Sequence, residues 1–195
     1  MDLAESLMGE APDSSLATLQ RMDALTLPTR GLRARYALSL TMARDKCYMD
    51  VSQDTTIRMA YEWYQHHGSK KDRMLSAYYM GVVQQQAGNS LEAALAFREA
   101  EPLAEELADY RQLSLIEQHL SGVFARNYDH VRALEYAKKS LESAEMAEEK
   151  LMADYSMIWQ YSGFRRRVMR KRKLFYQMCL IQTKTIRNFT LMQHN

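Results

Sequence analysis

Hydrophobic positions recur at three- and four-residue steps along most of this chain, the spacing of helices that bury one face. A short helix is expected over residues 2–9. Leu16, Leu19, Met22 and Leu25 then share a face behind Ala11-Pro12-Asp13-Ser14-Ser15, where Asp13 or Ser14 is placed to cap the free amides of a second helix. Pro28 and Gly31 close it. A third helix begins near Leu32 and carries Tyr36, Leu40 and Met42 or Ala43. Residues 50–54 interrupt the pattern, and Asp54 is placed to cap a fourth helix through Ile57, Ala60, Tyr61 and Tyr64, which His66-His67-Gly68 closes.

Beyond Leu75 the pattern repeats itself. Leu75 to Val83 forms one helix, Ala87-Gly88-Asn89 is a tight turn, and Leu91 to Ala100 forms the next. Gly88 suits the left-handed backbone that ends a helix, while Asn89 and Glu92 have the spacing of a capping box. Ile116 to Phe124, the turn Arg126-Asn127-Tyr128-Asp129 and Val131 to Glu142 restate this order. Ala93 maps onto Ala133 after 40 residues and Ala60 onto Ala93 after 33, which are periods of a helix-turn-helix solenoid. Close approach of two helices admits only small residues, and Gly81, Ala93, Ser121 and Ala133 supply them. Met80, Leu95, Phe97, Leu120, Phe124 and Leu134 are expected to fill the core beside these sites.

At these positions the chain resembles the tetratricopeptide repeat (TPR). That motif has a small residue in its first helix, alanine early in the second, an aromatic four later and a small residue three after that. Gly81, Ala93, Phe97 and Ala100 match it, and Ser121, Ala133 and Ser140 match in the next repeat, with Ala137 at the aromatic position. The signature tryptophan of the first helix is replaced by Ala77. Over residues 2–148 the chain is also similar to the TPR-containing regulators and lipoproteins of Bacteroidetes, through Leu3 to Met8, Pro12 to Leu16, Ala37-Leu38, Tyr48 to Val51 and Tyr64 to Gly68. The resemblance implies an all-α fold, a right-handed α-α superhelix of antiparallel helical hairpins, about eight or nine helices in all. It also implies a concave groove lined by the first helix of each hairpin. Aligned with the motif, the groove-facing candidates are Tyr78, Val82, Gln85 and Gln86 in one repeat and Leu115, Gln118 and Arg126 in the next. Their aromatic, amide and cationic character suits a peptide or a partner helix.

The repeat domain so defined covers residues 2–148, and residues 149–195 depart from it as degenerate capping helices with a basic tail. A further hairpin is expected to start near Lys150, with Leu151 to Tyr161 as its first helix and Met152, Tyr155 and Trp159 on one face. Its expected second helix is replaced by a basic cluster, Arg165, Arg166, Arg167, Arg170, Lys171, Arg172 and Lys173, and then an apolar run from Leu174 to Ile181. Three readings compete for this segment: a solvated capping helix docked through Val168, Leu174, Met178 and Ile181; a binding site for nucleic acid or an anionic membrane surface; and an altered end with no role.

Composition adds a boundary to this picture. Among 195 residues only 7 are Gly and 3 Pro, too few to punctuate many short strands, and 47% hydrophobic with 26% charged is ordinary for a globular chain. The formal charge of +2 conceals a segregation: residues 164–195 hold nine Lys or Arg and no Asp or Glu, leaving the rest acidic. No run of about 18 apolar residues is present, and the start, Met1 to Glu5, lacks the pattern of a signal peptide. The expected location is therefore cytoplasmic by default, or the cell envelope if an N-terminal signal has been removed. Cys47 and Cys179 match no metal or redox spacing and read as unpaired thiols.

The sequence shows no glycine-rich phosphate loop, metal-spaced His/Cys set or nucleophile elbow. His66 and His67 are adjacent and point about 100° apart on a helix, which suits a hairpin end better than a metal. The 14 Met residues mostly sit at core spacing. The expectation is a non-enzyme without cofactor or small-molecule substrate, a scaffold for a protein or peptide partner in a signalling or regulatory system.

Overall fold

The structure, a computed structural model, describes residues 1–159. The basic segment Arg165 to Lys173 and Cys179 lie outside the described residues. The chain divides into two compact units, Met1–Lys150 and Leu151–Asn195. Among the described residues the secondary structure is all helical: α1 (Asp2–Leu7), α2 (Pro12–Gln20), α3 (Arg30–Lys46), α4 (Thr56–His67), α5 (Lys70–Gln86), α6 (Ser90–Glu106), α7 (Tyr110–Arg126) and α8 (His130–Trp159), with a 3-10 turn at Ala24–Thr26.

From α1 to α7 each helix packs against its successor in the chain, and α5 also touches both α3 and α7. Helices adjacent in the chain are thus adjacent in space, with a second set of contacts between every other helix from α3 onward. α5, α6 and α7 are each 17 residues long and begin 20 residues apart. One turn design explains this regularity. After α3, α5, α6 and α7 the amides of Met49, Asn89, Asp109 and Asp129 donate to the carbonyls of Arg44, Gln84, Ala104 and Phe124 at 2.9–3.0 Å. The residue before each donor is left-handed: Tyr48 (φ 56°), Gly88 (φ 84°), Ala108 (φ 48°) and Tyr128 (φ 61°). This is the Schellman closure, which satisfies the last carbonyls of a helix and reverses the chain within three residues.

Where two helices of a hairpin approach, small residues decide the distance. A Cβ added at Gly81 would lie 2.7 Å from two carbons of the Phe97 ring, so the ring of α6 rests on the bare backbone of α5. Between α7 and α8 the Ser121 hydroxyl donates to the Ala133 carbonyl at 2.8 Å. Nearby, Ser114 and Ser140 each donate to the other's carbonyl at 2.8 and 2.9 Å. We expect Gly81→Ala to destabilise the protein by about 1–3 kcal/mol through overpacking. Gly122→Ala, whose Cβ meets only the Gln85 amide nitrogen at 3.5 Å, is expected to stabilise it by up to about 1 kcal/mol through helix propensity. Urea unfolding of the two variants checks both signs.

Several expectations are corrected. Leu95 and Leu134 are not core residues, being 63% and 56% exposed. At 100° per residue, Leu95 points away from the face shared by Ala93, Phe97 and Ala100, and Leu134 away from that of Ala133 and Tyr136, all of them buried. The Asn89–Glu92 capping box is absent: Asn89 instead donates its side-chain amide to Gln84. The box occurs at α5, where Ser69 and Asp72 cap each other. Helix α2 starts at Pro12 with Ala11 as its cap, so Asp13 and Ser14 fall inside its first turn, and it ends at Gln20, before Leu25. Gly31 lies within α3, which Thr29 caps through the Leu32 amide. No turn opens a new hairpin at Lys150, because α8 runs unbroken to Trp159 through a stretch without Gly or Pro.

Candidate functional site

Three consecutive odd-numbered helices end at one place. The last turn of α3 with its Schellman loop, the end of α5 and the end of α7 border a shallow, open cleft of about 590 Å³. Asp45, Tyr48, Met49 and Asp50 line it from the α3 side, Gln85 and Gln86 from α5, and Arg126 from α7. Gln86 also ties the loop down, its side-chain oxygen accepting from the Val51 amide at 2.8 Å. Val51 is itself buried in the main core, which anchors the loop that presents Tyr48 and Met49.

A polar chain beneath the cleft fixes α5 against α7. The Tyr78 hydroxyl donates to His119 Nε2 at 3.1 Å, and His119 Nδ1–H donates to Gln85 Oε1 at 2.6 Å. The Gln85 amide donates back to the His119 carbonyl at 3.4 Å, and Arg126 Nη1 donates to the Gln85 carbonyl at 3.2 Å. These directions are those of a neutral imidazole protonated at Nδ1. Burial, reinforced by the Arg126 charge, lowers the His119 pKa to about 4. The ring also stacks on Phe97 at 5.0 Å between centroids.

Of the groove candidates, Gln85, Gln86 and Arg126 therefore meet at this cleft. Tyr78 and Val82 are corrected: both are buried, Val82 at 2% exposure, and they pack in the core rather than facing an open groove. Leu115 and Gln118 lie exposed on α7 and do not line the cleft. Asp45, Tyr48, Met49, Asp50 and His119 are site residues that sequence reasoning misses. The available signal for Tyr48 is its place in a three-residue turn, and for His119 its 41-residue offset from Tyr78, one repeat plus one residue.

A second cleft of about 480 Å³ lies between α1, α3, α4 and α5, bordered by Met8, Leu38, Met42, Tyr64 and Leu75 among others. Arg35 in its wall is occupied by Glu5, at 2.5 and 2.6 Å, and by Asp2 at 2.6 Å, which pins α1 onto α3. His67 stacks on Trp63 at 4.0 Å and stands edge-on to His66, so the two histidines close α4 rather than converge. Among the described residues no three His, Cys, Asp or Glu side chains group as a metal site, and no helix is long and apolar enough to cross a membrane. Compared with protein-family models and with curated proteins, the chain gives no match.

Proposed function

We propose that this chain is a non-catalytic, tetratricopeptide-like scaffold that holds an extended peptide or a partner helix along the face formed by α3, α5 and α7. In this reading its hairpins stack as a right-handed superhelix, and the resemblance lies in the small-on-large packing of Gly81 with Phe97 and in the close approach of Ser121 to Ala133. The hairpin period is 40 residues, longer than the 34 of a typical tetratricopeptide unit. The observation that carries the reading is the cleft itself, built from three successive odd-numbered helices and lined by side chains of mixed chemistry. A stack of helices offers such a row of helix ends to a ligand that runs across it.

Selection of a random peptide library on the immobilised full chain tests this. Peptides should be enriched whose binding falls at least tenfold on Gln86→Arg or Arg126→Ala and is unchanged on Leu95→Glu, an exposed position on α6. No enrichment, or enriched peptides indifferent to the cleft substitutions, would end the proposal.

A second reading is favoured by one observation, the nine cations and no anions of residues 164–195. In it the segment from Arg165 to Lys173 binds nucleic acid or an anionic membrane surface by counterion release. It predicts binding of duplex or single-stranded nucleic acid, or of anionic vesicles, that weakens with salt and disappears from a chain ending at residue 163. Equal signals from both chains would dispose of it.

A further inference from the structure

We propose that Glu117 is a proton-dependent latch between α7 and α8: protonated, it holds α8 closed on α7, and ionised, it loosens that helix. The device goes beyond the peptide-holding role and does not depend on it.

The latch sits where a carboxylate is least expected. Leu113, Ile116, Leu120 and Val123 form the buried face of α7, and Glu117 lies within that face at 3% exposure. Its carboxyl is bonded to Ser143 of α8, itself only 5% exposed. The second carboxyl oxygen, Oε2, is buried without a hydrogen-bond partner among the described residues. Around it α8 is held to α7 by neutral groups: Ser121 on the Ala133 carbonyl, the reciprocal Ser114–Ser140 bonds, and the Phe124 and Tyr136 rings stacked at 5.4 Å. A buried charge with an unanswered oxygen works against this seam, because the charged form loses its hydration and receives too few donors in return. A proton on the carboxyl removes that charge.

The neighbouring charges do not supply a counterion. Glu101 and Glu105 face Glu117 from α6, and Lys139 faces it from α8 beside Ser143. Lys139 is engaged with Glu101 at 3.5 Å, and Arg98 approaches the same carboxylate at 3.6 Å, so the cations at this place serve α6. On the other side of α7, α5 reaches it through Tyr78 and Gln85 at His119, and residues two apart on a helix point about 200° away from each other. Burial pushes the Glu117 carboxyl up; the Ser143 bond is the chief opposing influence, and the repulsion of Glu101 and Glu105 adds to the rise against the attraction of Lys139. A carboxyl raised in the fold contributes stability that is complete below its ordinary 4.5 and is lost as pH rises through the folded value. The sense is opposite to that of a buried histidine on the same helix, so the two responses separate.

Amide hydrogen exchange of the full chain, corrected for the intrinsic effect of pH, tests the latch. Protection from Ala133 to Ala147 should fall between pH 5 and pH 7.5 in the wild type. Glu117→Gln, neutral at every pH, should abolish that fall and leave these amides at least about threefold better protected than wild type at pH 7.5, with α3 and α4 unchanged. Titration of the Glu117 carboxyl carbon by NMR needs no variant and should give a midpoint above the ordinary value. Ser143→Ala, which removes a bond that favours the charged form, should move that midpoint further up. A midpoint at the ordinary value, one that Ser143→Ala leaves unmoved, equal α8 protection in wild type and Glu117→Gln at pH 7.5, or a difference spread evenly from α3 to α8 would each overturn the latch.

Discussion

Truncating Phe97 to alanine will lower the unfolding free energy by about 3–5 kcal/mol, the usual cost of deleting a fully buried ring. The residue is completely enclosed. Its ring lies on Gly81 of α5, is tilted against Tyr78 at 5.9 Å between centroids and is stacked on His119 of α7 at 5.0 Å. One side chain of α6 thus joins three helices of two successive hairpins, and its loss leaves a cavity that none of them fills without moving. The pairing with Gly81 supplies an internal control. In the wild-type chain Gly81→Ala drives a methyl into the ring, whereas in the Phe97→Ala background the same methyl enters the vacated space. The double variant should therefore be no less stable than Phe97→Ala alone, a coupling of about 1–3 kcal/mol between neighbours. Urea unfolding of the four proteins measures it, and additive costs would show that the ring does not sit on the glycine in solution.

This contact is legible in the sequence because its two halves are unusual at their positions: a glycine amid Met80 and Val82, and an aromatic four residues after Ala93 in an alanine-rich helix. The turns are legible for a similar reason, since Ala87-Gly88-Asn89 and Asn127-Tyr128-Asp129 interrupt otherwise continuous helical periodicity. Leu95 and Leu134 mislead because hydrophobicity counted without phase says nothing of direction. Each is apolar and lies within two residues of a true core position, and two residues on a helix is more than half a turn of rotation. The spacing of Asn89 to Glu92 suggests a capping box, but Asn89 turns back to Gln84, and the Ser69–Asp72 pair, with the same spacing, forms the box.

The site is legible only where it belongs to the repeat. Gln85, Gln86 and Arg126 follow from the register of α5 and α7. Tyr78 and Val82 share that register but lie deeper along α5, where neighbouring helices close over them. Asp45, Tyr48, Met49 and Asp50 come from the end of α3 and the loop after it, whose course depends on the buried anchor Val51 and its bond to Gln86, 35 residues away. No local pattern encodes such a contact. His119 is hidden differently: between Gln118 and Leu120 it reads as one more polar residue on an amphipathic helix, and only Tyr78 and Gln85 on the neighbouring helix give it a role.

That role makes stability depend on pH below neutrality. In the unfolded chain the His119 imidazole titrates near its ordinary 6.5, whereas in the fold burial and the Arg126 charge bring it to about 4. Between these values the unfolded state binds a proton that the folded state refuses. The stabilisation from the neutral ring is thus complete above about pH 6.5 and is lost progressively as pH falls toward 4, a difference of about 3 kcal/mol. Carboxylates also titrate at the acidic end, so the wild-type curve alone is not diagnostic. The comparison is with His119→Gln, which keeps a neutral polar side chain that has no such proton to gain. The stability gap between the two proteins should be widest near pH 7 and narrow by about 2–3 kcal/mol by pH 4.5, with equilibrium urea unfolding at each pH as the measurement. A gap constant across that window would mean that the ring between Tyr78 and Gln85 takes up a proton as readily as in water, and that the polar chain joining α5 to α7 does not hold it neutral.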